Sequence, residues 1–218
     1  MDKRYFLLKA QVIIRFLERK FLNLFPDYLF LPTKLFTRLF YEMDLFFLPR
    51  ITGKTILDIG TGLAPYPRKF AKERLNVQMI VGMDISGNLL RKAQELARDE
   101  NIDNRMKFVR ADAHALSFSD NAFDCIISIG SLNLWSRPLL VLNEAYRVLK
   151  PGGKFFLLDQ CRAKSIKEIK EALFERGFFG IGLVAYSEAE IQRFVQKSTF
   201  KDCNMKVENM VVYVEMKK

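Results

Sequence analysis

Three aspartates and a pair of glycines carry the strongest chemical signal in this chain. Asp58 closes the apolar run "TILDI", and Gly60, Thr61 and Gly62 follow at once in "LDIGTGLAPYP". Asp84 closes a second run, "VQMIVGMDI", where a carboxylate about 20 residues beyond a glycine loop can accept from both hydroxyls of a ribose. Asp112 closes a third, "KFVRAD", in position to accept from an exocyclic amine of adenine. An isolated aspartate at a strand end usually caps a turn. Three of them on consecutive strands, beside a Gly-x-Gly, converge on the ligand crevice of an open parallel sheet.

The loop narrows the ligand. A dinucleotide fingerprint counted from Gly60 requires glycine at position 65, and Pro65 stands there, with Pro67 close behind. Neither proline has an N–H, so a diphosphate finds few donors at the start of the following helix. Gly60 and Gly62 suit a ligand that approaches the backbone closely without a diphosphate. A purely structural glycine turn is the alternative.

These residues need a scaffold, and the pattern supplies one. Five apolar runs, 55–59, 77–85, 107–112, 123–130 and 154–159, alternate with amphipathic segments, as in a parallel sheet with crossover helices. Ser86 is a candidate N-cap for the helix of "GNLLRKAQELARDE". Pro138 opens "PLLVLNEAYRVLK", and Pro151-Gly152-Gly153 is expected to end it in a tight turn. Another helix is expected over 165–177, and Ser187 and Glu190 form a capping box for the next. The tail, "NMKVENMVVYVEMKK", reads as one or two strands.

The chain has 218 residues, half of them hydrophobic and 28% charged, a globular balance with room for one sizeable α/β domain. No apolar stretch is long enough to span a bilayer, and no secretory cleavage pattern follows the basic, apolar N-terminus. Cys125, Cys161 and Cys203 are far apart, and His114 is the lone histidine, so no metal site is expected and the expected compartment is a reducing cytoplasm. A net charge of +10 fits acidic partners such as phosphates, anionic lipid or RNA, or simple solubility. Oligomeric state leaves no mark on the sequence.

The run "ILDIGTG…VGMDIS…VRADAHALSFSDNAFDCIISIGSLNLW…LNEAYRVLKPGGKFFLLD" resembles the class I S-adenosylmethionine-dependent methyltransferases. It is similar in style to the small-molecule branch that includes the ubiquinone and menaquinone biosynthesis methyltransferases, over roughly residues 53 to 160. The resemblance implies a doubly wound, mostly parallel, seven-stranded Rossmann-like α/β sheet with an N-terminal helical lid over 1–50 and the methyltransferase domain over 51–218. It implies S-adenosylmethionine as cofactor. Asp58, Gly60, Thr61 and Gly62 would line its methionine moiety, Asp84 its ribose and Ile85 its adenine. Asp112 would meet the adenine amine, Ala113 the ring, and Ser128, Ile129 and Gly130 would sit beneath the sulfonium and the acceptor. Where the family often has a Leu-His-His-Trp run this chain has "LNLW", so no histidine base stands there.

Methyl transfer from a sulfonium is a direct displacement, in which alignment and exclusion of water do most of the work. A phenol or carbon acid also benefits from a base. His114 belongs beside the adenine rather than the methyl. Asp159 is the better placed candidate base, with a turn cap as its structural alternative. Asn133 is a further candidate, and Trp135 either faces the acceptor or packs in the core. Residues 1–50 hold "YFLLKAQVIIRFLERKFLNLF" and no glycine. They are read as helices over the acceptor crevice, with Tyr28 and Tyr41 as candidate contacts, as packing for the domain, or as a peripheral membrane-docking segment. The expected function is methyl transfer to a small, apolar or aromatic acceptor. The alternatives are an RNA methyltransferase, against which no RNA-binding module or Asn-Pro-Pro-aromatic motif is found, and a membrane-associated nucleotide-binding protein without catalysis.

Overall fold

The computed structural model describes residues 50–73, 76–162, 165, 185–208 and 210–218. Residues 1–49 of the expected lid, Tyr28 and Tyr41 among them, and residues 166–177 of the expected helix lie outside the described residues.

Apolar runs become strands because both faces of the sheet are covered. The elements are β1 (Thr55–Ile59), α1 (Pro65–Glu73), β2 (Met79–Asp84), α2 (Gly87–Asp99), β3 (Met106–Arg110), β4 (Phe123–Ile129), α3 (Pro138–Val148), β5 (Leu149–Gln160), α4 (Glu188–Lys197), β6 (Asp202–Glu208) and β7 (Val211–Lys217). They build a seven-stranded sheet in the order β3-β2-β1-β4-β5-β7-β6. β1 to β5 pair in parallel, and β7 runs antiparallel to both β5 and β6. Leu57 and Ile59 of β1 face a core shared with Val141, Leu142 and Ala145 of α3 and Ile191 and Val195 of α4. Ile56 faces the other core, with Phe70 of α1 and Ala93 and Ala97 of α2. Helices on both faces make the sheet doubly wound, as expected.

Chain order leaves β1 in one direction through β2 to β3, and in the other through β4 to β5. The connections therefore part at the carboxyl ends of β1 and β4, and an open crevice forms there.

The capping signals hold. The Ser86 hydroxyl accepts from Leu89 N–H at the start of α2, and Ser187 and Glu190 form the capping box of α4. The Pro-Gly-Gly reading needs correction. α3 ends at Val148, and Pro151-Gly152-Gly153 lies within β5 as a bulge: Phe123 pairs with Leu149 and Cys125 already with Lys154. Position 124 on β4 thus stands opposite the whole irregularity. The expected third strand is also shorter, since β3 stops at Arg110 and Asp112 lies in the following loop.

Asp124 ties the amino end of the sheet. Its Oδ2 accepts from Lys54 N–H (2.9 Å), Thr55 N–H (2.8 Å) and the Thr55 hydroxyl (2.8 Å), while Oδ1 accepts from Lys150 Nζ (2.7 Å). Partial burial pushes its carboxyl up, but the Lys150 ammonium and the Thr55 and Lys54 donors outweigh that and hold it well below the ordinary range. Asp124→Ala leaves these donors without their acceptor and should lower the unfolding free energy by about 2–4 kcal/mol in urea titrations. Ligand affinity at the opposite edge should be unchanged.

Candidate active site

At the carboxyl edge the backbone of the glycine loop is turned inward. The N–H groups of Gly60 and Thr61 both donate to the Met83 carbonyl at 2.9 Å, and Ala64 N–H donates to the Thr61 carbonyl at 2.7 Å. Gly62 N–H donates to Asp84 Oδ2 at 3.0 Å. Pro65 opens α1 and Pro67 follows in its first turn, and neither has a donor. A loop that cradles phosphate aims its N–H groups at the ligand. This loop has committed four of its own to the protein.

The glycines divide into two kinds. Gly60 (φ +78°) is closed in, and a Cβ there would stand 2.5 Å from Ser131 Cβ. Gly62 (φ +54°) and Gly130 (φ +69°) face open space among the described residues, with none of their atoms beyond the adjoining chain within 4 Å of the place a Cβ would take. One follows β1 and the other follows β4, so these two open backbones flank the crevice.

Two carboxylates stand beside them. Asp58 is 4% exposed, and burial pushes its carboxyl up to about 7; the nearby Thr61 hydroxyl opposes the shift and the Asp84 charge adds to it. Among the described residues the buried Thr61 Oγ1 meets no hydrogen-bond partner of ordinary geometry. Asp84 ends β2, accepting from Gly62 N–H and, through Oδ1, from Ser86 N–H at 2.9 Å. Next to it Ile85 is a large hydrophobic left 44% exposed, an apolar surface at the edge of the crevice.

The remaining candidates are placed as follows. Ser128 is buried, its hydroxyl 2.9 Å from the Ile59 carbonyl and 2.6 Å from the Ser131 hydroxyl, which lies 3.0 Å from the same carbonyl. Its side chain therefore braces β4 against β1 rather than lining open space, whereas Ile129 is half-buried and Gly130 exposed. Asp112 is exposed and Ala113 half-buried in the loop after β3. Asp159 is buried at the end of β5, and burial pushes its carboxyl up to about 6 against the Gln160 and Asn133 hydrogen bonds. Asn133 Nδ2 donates to Asp159 Oδ1 (2.8 Å) and to the Gln160 carbonyl (2.9 Å), while its Oδ1 accepts from Tyr186 N–H (2.8 Å). Asn133 is thus a strut between β5 and the approach to α4. Trp135 packs in the core, and the Tyr186 hydroxyl donates to its carbonyl at 2.8 Å.

Ser131, Tyr186 and Arg137, whose N–H donates to His114 Nε2, escaped the sequence reading. The Ser128-x-x-Ser131 spacing was a legible sign for the first, while Tyr186 and Arg137 act through contacts that no local pattern announces. Among the described residues, no three His, Cys, Asp or Glu side chains form a metal cluster, and no helix is long and apolar enough to cross a membrane.

Residues 57–157 match the family model described as a methyltransferase domain. The matched stretch runs from β1 into β5, the part of the sheet that builds the crevice, and over it the chain is similar to a methyltransferase domain. It is 32% identical over 151 residues to the ubiquinone/menaquinone biosynthesis C-methyltransferase UbiE of Citrobacter koseri, an alignment covering 67% of this chain and 59% of that protein. A methyltransferase structure from Methanococcus maripaludis, described as S-adenosylmethionine-dependent, superimposes with a TM-score of 0.66 at 22% identity, covering 85% of this chain and 87% of the other. The [4+2]-cyclase SpnF superimposes with a TM-score of 0.61 at 24% identity, covering 77% of this chain and 60% of the other. The shared fold alone therefore does not fix the reaction.

The two kinds of glycine at the crevice predict different failures. Gly60→Val forces a branched side chain into Ser131 at positive φ and should prevent folding or lower the melting midpoint by many degrees. Gly62→Ala has room and should cost about 1 kcal/mol of stability for its φ, yet weaken any ligand that enters the crevice; calorimetry on the folded variant separates the two effects. Asp58 predicts a pH dependence. Its carboxyl ionises near 3.8 when unfolded and near 7 when folded, so its contribution is fully present below the first value and lost as pH rises through the second. The ligand-free protein should therefore lose stability relative to Asp58→Asn between those pH values and level off above, as urea titrations across the range would show.

Proposed function

We propose that this protein binds S-adenosylmethionine in the crevice at β1, β2 and β4 and transfers its methyl group to a small acceptor. The observation that carries the reading is the charge character of the loop: its donors are engaged internally while Asp58 and Asp84 stand at the edge. Such a site favours a cationic ligand over a phosphate. S-adenosylmethionine supplies, when bound, a sulfonium-activated methyl group. Asp58 would hold its cationic methionine end, and the open backbones at Gly62 and Gly130 would admit it closely. Asp84 would accept from the ribose, Ile85 would cover one face of the adenine, and Asp112 and Ala113 would meet its edge.

The acceptor reading rests on the UbiE likeness, and the chain spans about three-fifths of that relative's length. We infer a reduced quinone ring, methylated at carbon. Such an acceptor becomes nucleophilic as it loses a proton. Asp159, on the β4–β5 side away from the nucleoside, has a carboxyl raised toward neutrality and suited to hold that proton. Residues 1–50, read as a lid with Tyr28 and Tyr41 as contacts, would cover the apolar ring and exclude water.

At a hundredfold excess over its dissociation constant, S-adenosylmethionine or S-adenosylhomocysteine should raise the melting midpoint by roughly 5–10 °C, with NAD leaving it unchanged. Stabilisation by NAD alone would overturn the cofactor reading. With methyl-labelled cofactor, label should enter a prenylated quinol that lacks the ring methyl; label found only in RNA would overturn the acceptor reading.

A further inference from the structure

The methyl-transfer chemistry leaves His114 without a part, yet the residue is bonded at both ring nitrogens. Its side chain is only 9% exposed, although it lies in the loop after β3. Asp112 Oδ1 accepts from His114 N–H at 3.0 Å and lies 2.6 Å from His114 Nδ1. On the other side of the ring, Nε2 is 3.2 Å from Arg137 N and 3.3 Å from Ser136 Oγ.

A backbone N–H can only donate, so Nε2 accepts from Arg137. In the neutral ring the proton is then on Nδ1, which donates to Asp112. The Ser136, His114, Asp112 order resembles a nucleophile, its base and the group that orients the base. The base role is closed here, because the Nε2 lone pair already receives the Arg137 N–H. What remains is a bracket: one nitrogen grips the loop before α3 and the other fixes the rotation of the Asp112 carboxylate.

We propose that His114 is the positioning residue that sets the selectivity of this crevice for an aminopurine over an oxopurine. The inference rests on the reading that Asp112 faces the cofactor's purine. A carboxylate held in a fixed orientation accepts from an amino group at purine C6 and repels an oxo group there. Without the ring bond the His114 N–H still holds Oδ1, but the plane of the carboxylate is less constrained, so it retains its charge and loses part of that discrimination.

The test compares the dissociation constants of S-adenosylhomocysteine and its 6-oxo counterpart, S-inosylhomocysteine, by calorimetry on the full chain. The wild type should prefer the amino ligand by about tenfold or more. His114→Leu, which loses both ring bonds, should reduce the preference to about twofold. His114→Asn keeps a donor where Nδ1 stands and should retain most of the preference. A packing role for His114 would weaken both ligands equally and leave the ratio unmoved. If the leucine variant does not fold, His114→Ala removes the same two bonds. Asp112→Asn separates the placement of the carboxylate from its orientation. An unchanged ratio in His114→Leu with a lost ratio in Asp112→Asn overturns the role of His114 alone. Unchanged ratios in both overturn the placement of Asp112 against the purine, and the inference with it. Loss in His114→Asn equal to that in His114→Leu overturns the Nδ1 donor.

Discussion

The Ile59 carbonyl is where the two halves of the sheet are held together at the point where they part. Register between β1 and β4 runs only as far as Asp58 and Ile127, so this carbonyl has no strand partner on the β4 side. Ser128 and Ser131 reach it from β4 and the turn beyond, at 2.9 and 3.0 Å, and touch each other at 2.6 Å. Two hydroxyl protons serve three contacts, so at most two of the three are hydrogen bonds at once, and the carbonyl is satisfied in either arrangement. The arrangement lets the strands diverge without leaving a buried acceptor unsatisfied. It also decides which glycine is closed and which are open, since Ser131 fills the space before Gly60 and leaves Gly62 and Gly130 clear.

Much of this was legible in the chain. Continuous apolar runs gave all five parallel strands because both sheet faces are buried, and Ser86, Ser187 and Glu190 marked helix starts because an unpaired N–H demands a local acceptor. Asp58 and Asp84 were found at strand ends by position alone. The errors came where local pattern and tertiary pairing disagree. Pro151-Gly152-Gly153 has turn chemistry, yet β4 on one side and β7 on the other draw it into a bulged strand. The "KFVRAD" run looked like one strand to its end, but pairing with β2 stops at Arg110.

The site shows the same division. Residue types announced a crevice with carboxylates and close backbone approach. They did not reveal where the loop's donors point, because that depends on Met83 and Asp84 of a different strand. Ser128 illustrates the limit: it lies on the strand that was expected, and its hydroxyl faces the neighbouring carbonyl. Asn133 likewise stands beside the crevice by sequence and serves as a strut by geometry. Side-chain direction at a strand end is set by the partner across the sheet, which a single run of sequence does not contain.

The raised carboxyl of Asp58 has a thermodynamic meaning beyond its effect on folding. A buried carboxylate without a counter-ion is costly, and the ligand-free crevice relieves that cost by keeping a proton near neutral pH. A cation placed beside Asp58 does the same job, and its arrival releases the proton to solvent. A cationic ligand seated at Asp58, as proposed, would therefore compete with protons for one carboxylate. Affinity for such a ligand would then weaken as pH falls below about 7, where the carboxyl keeps its proton.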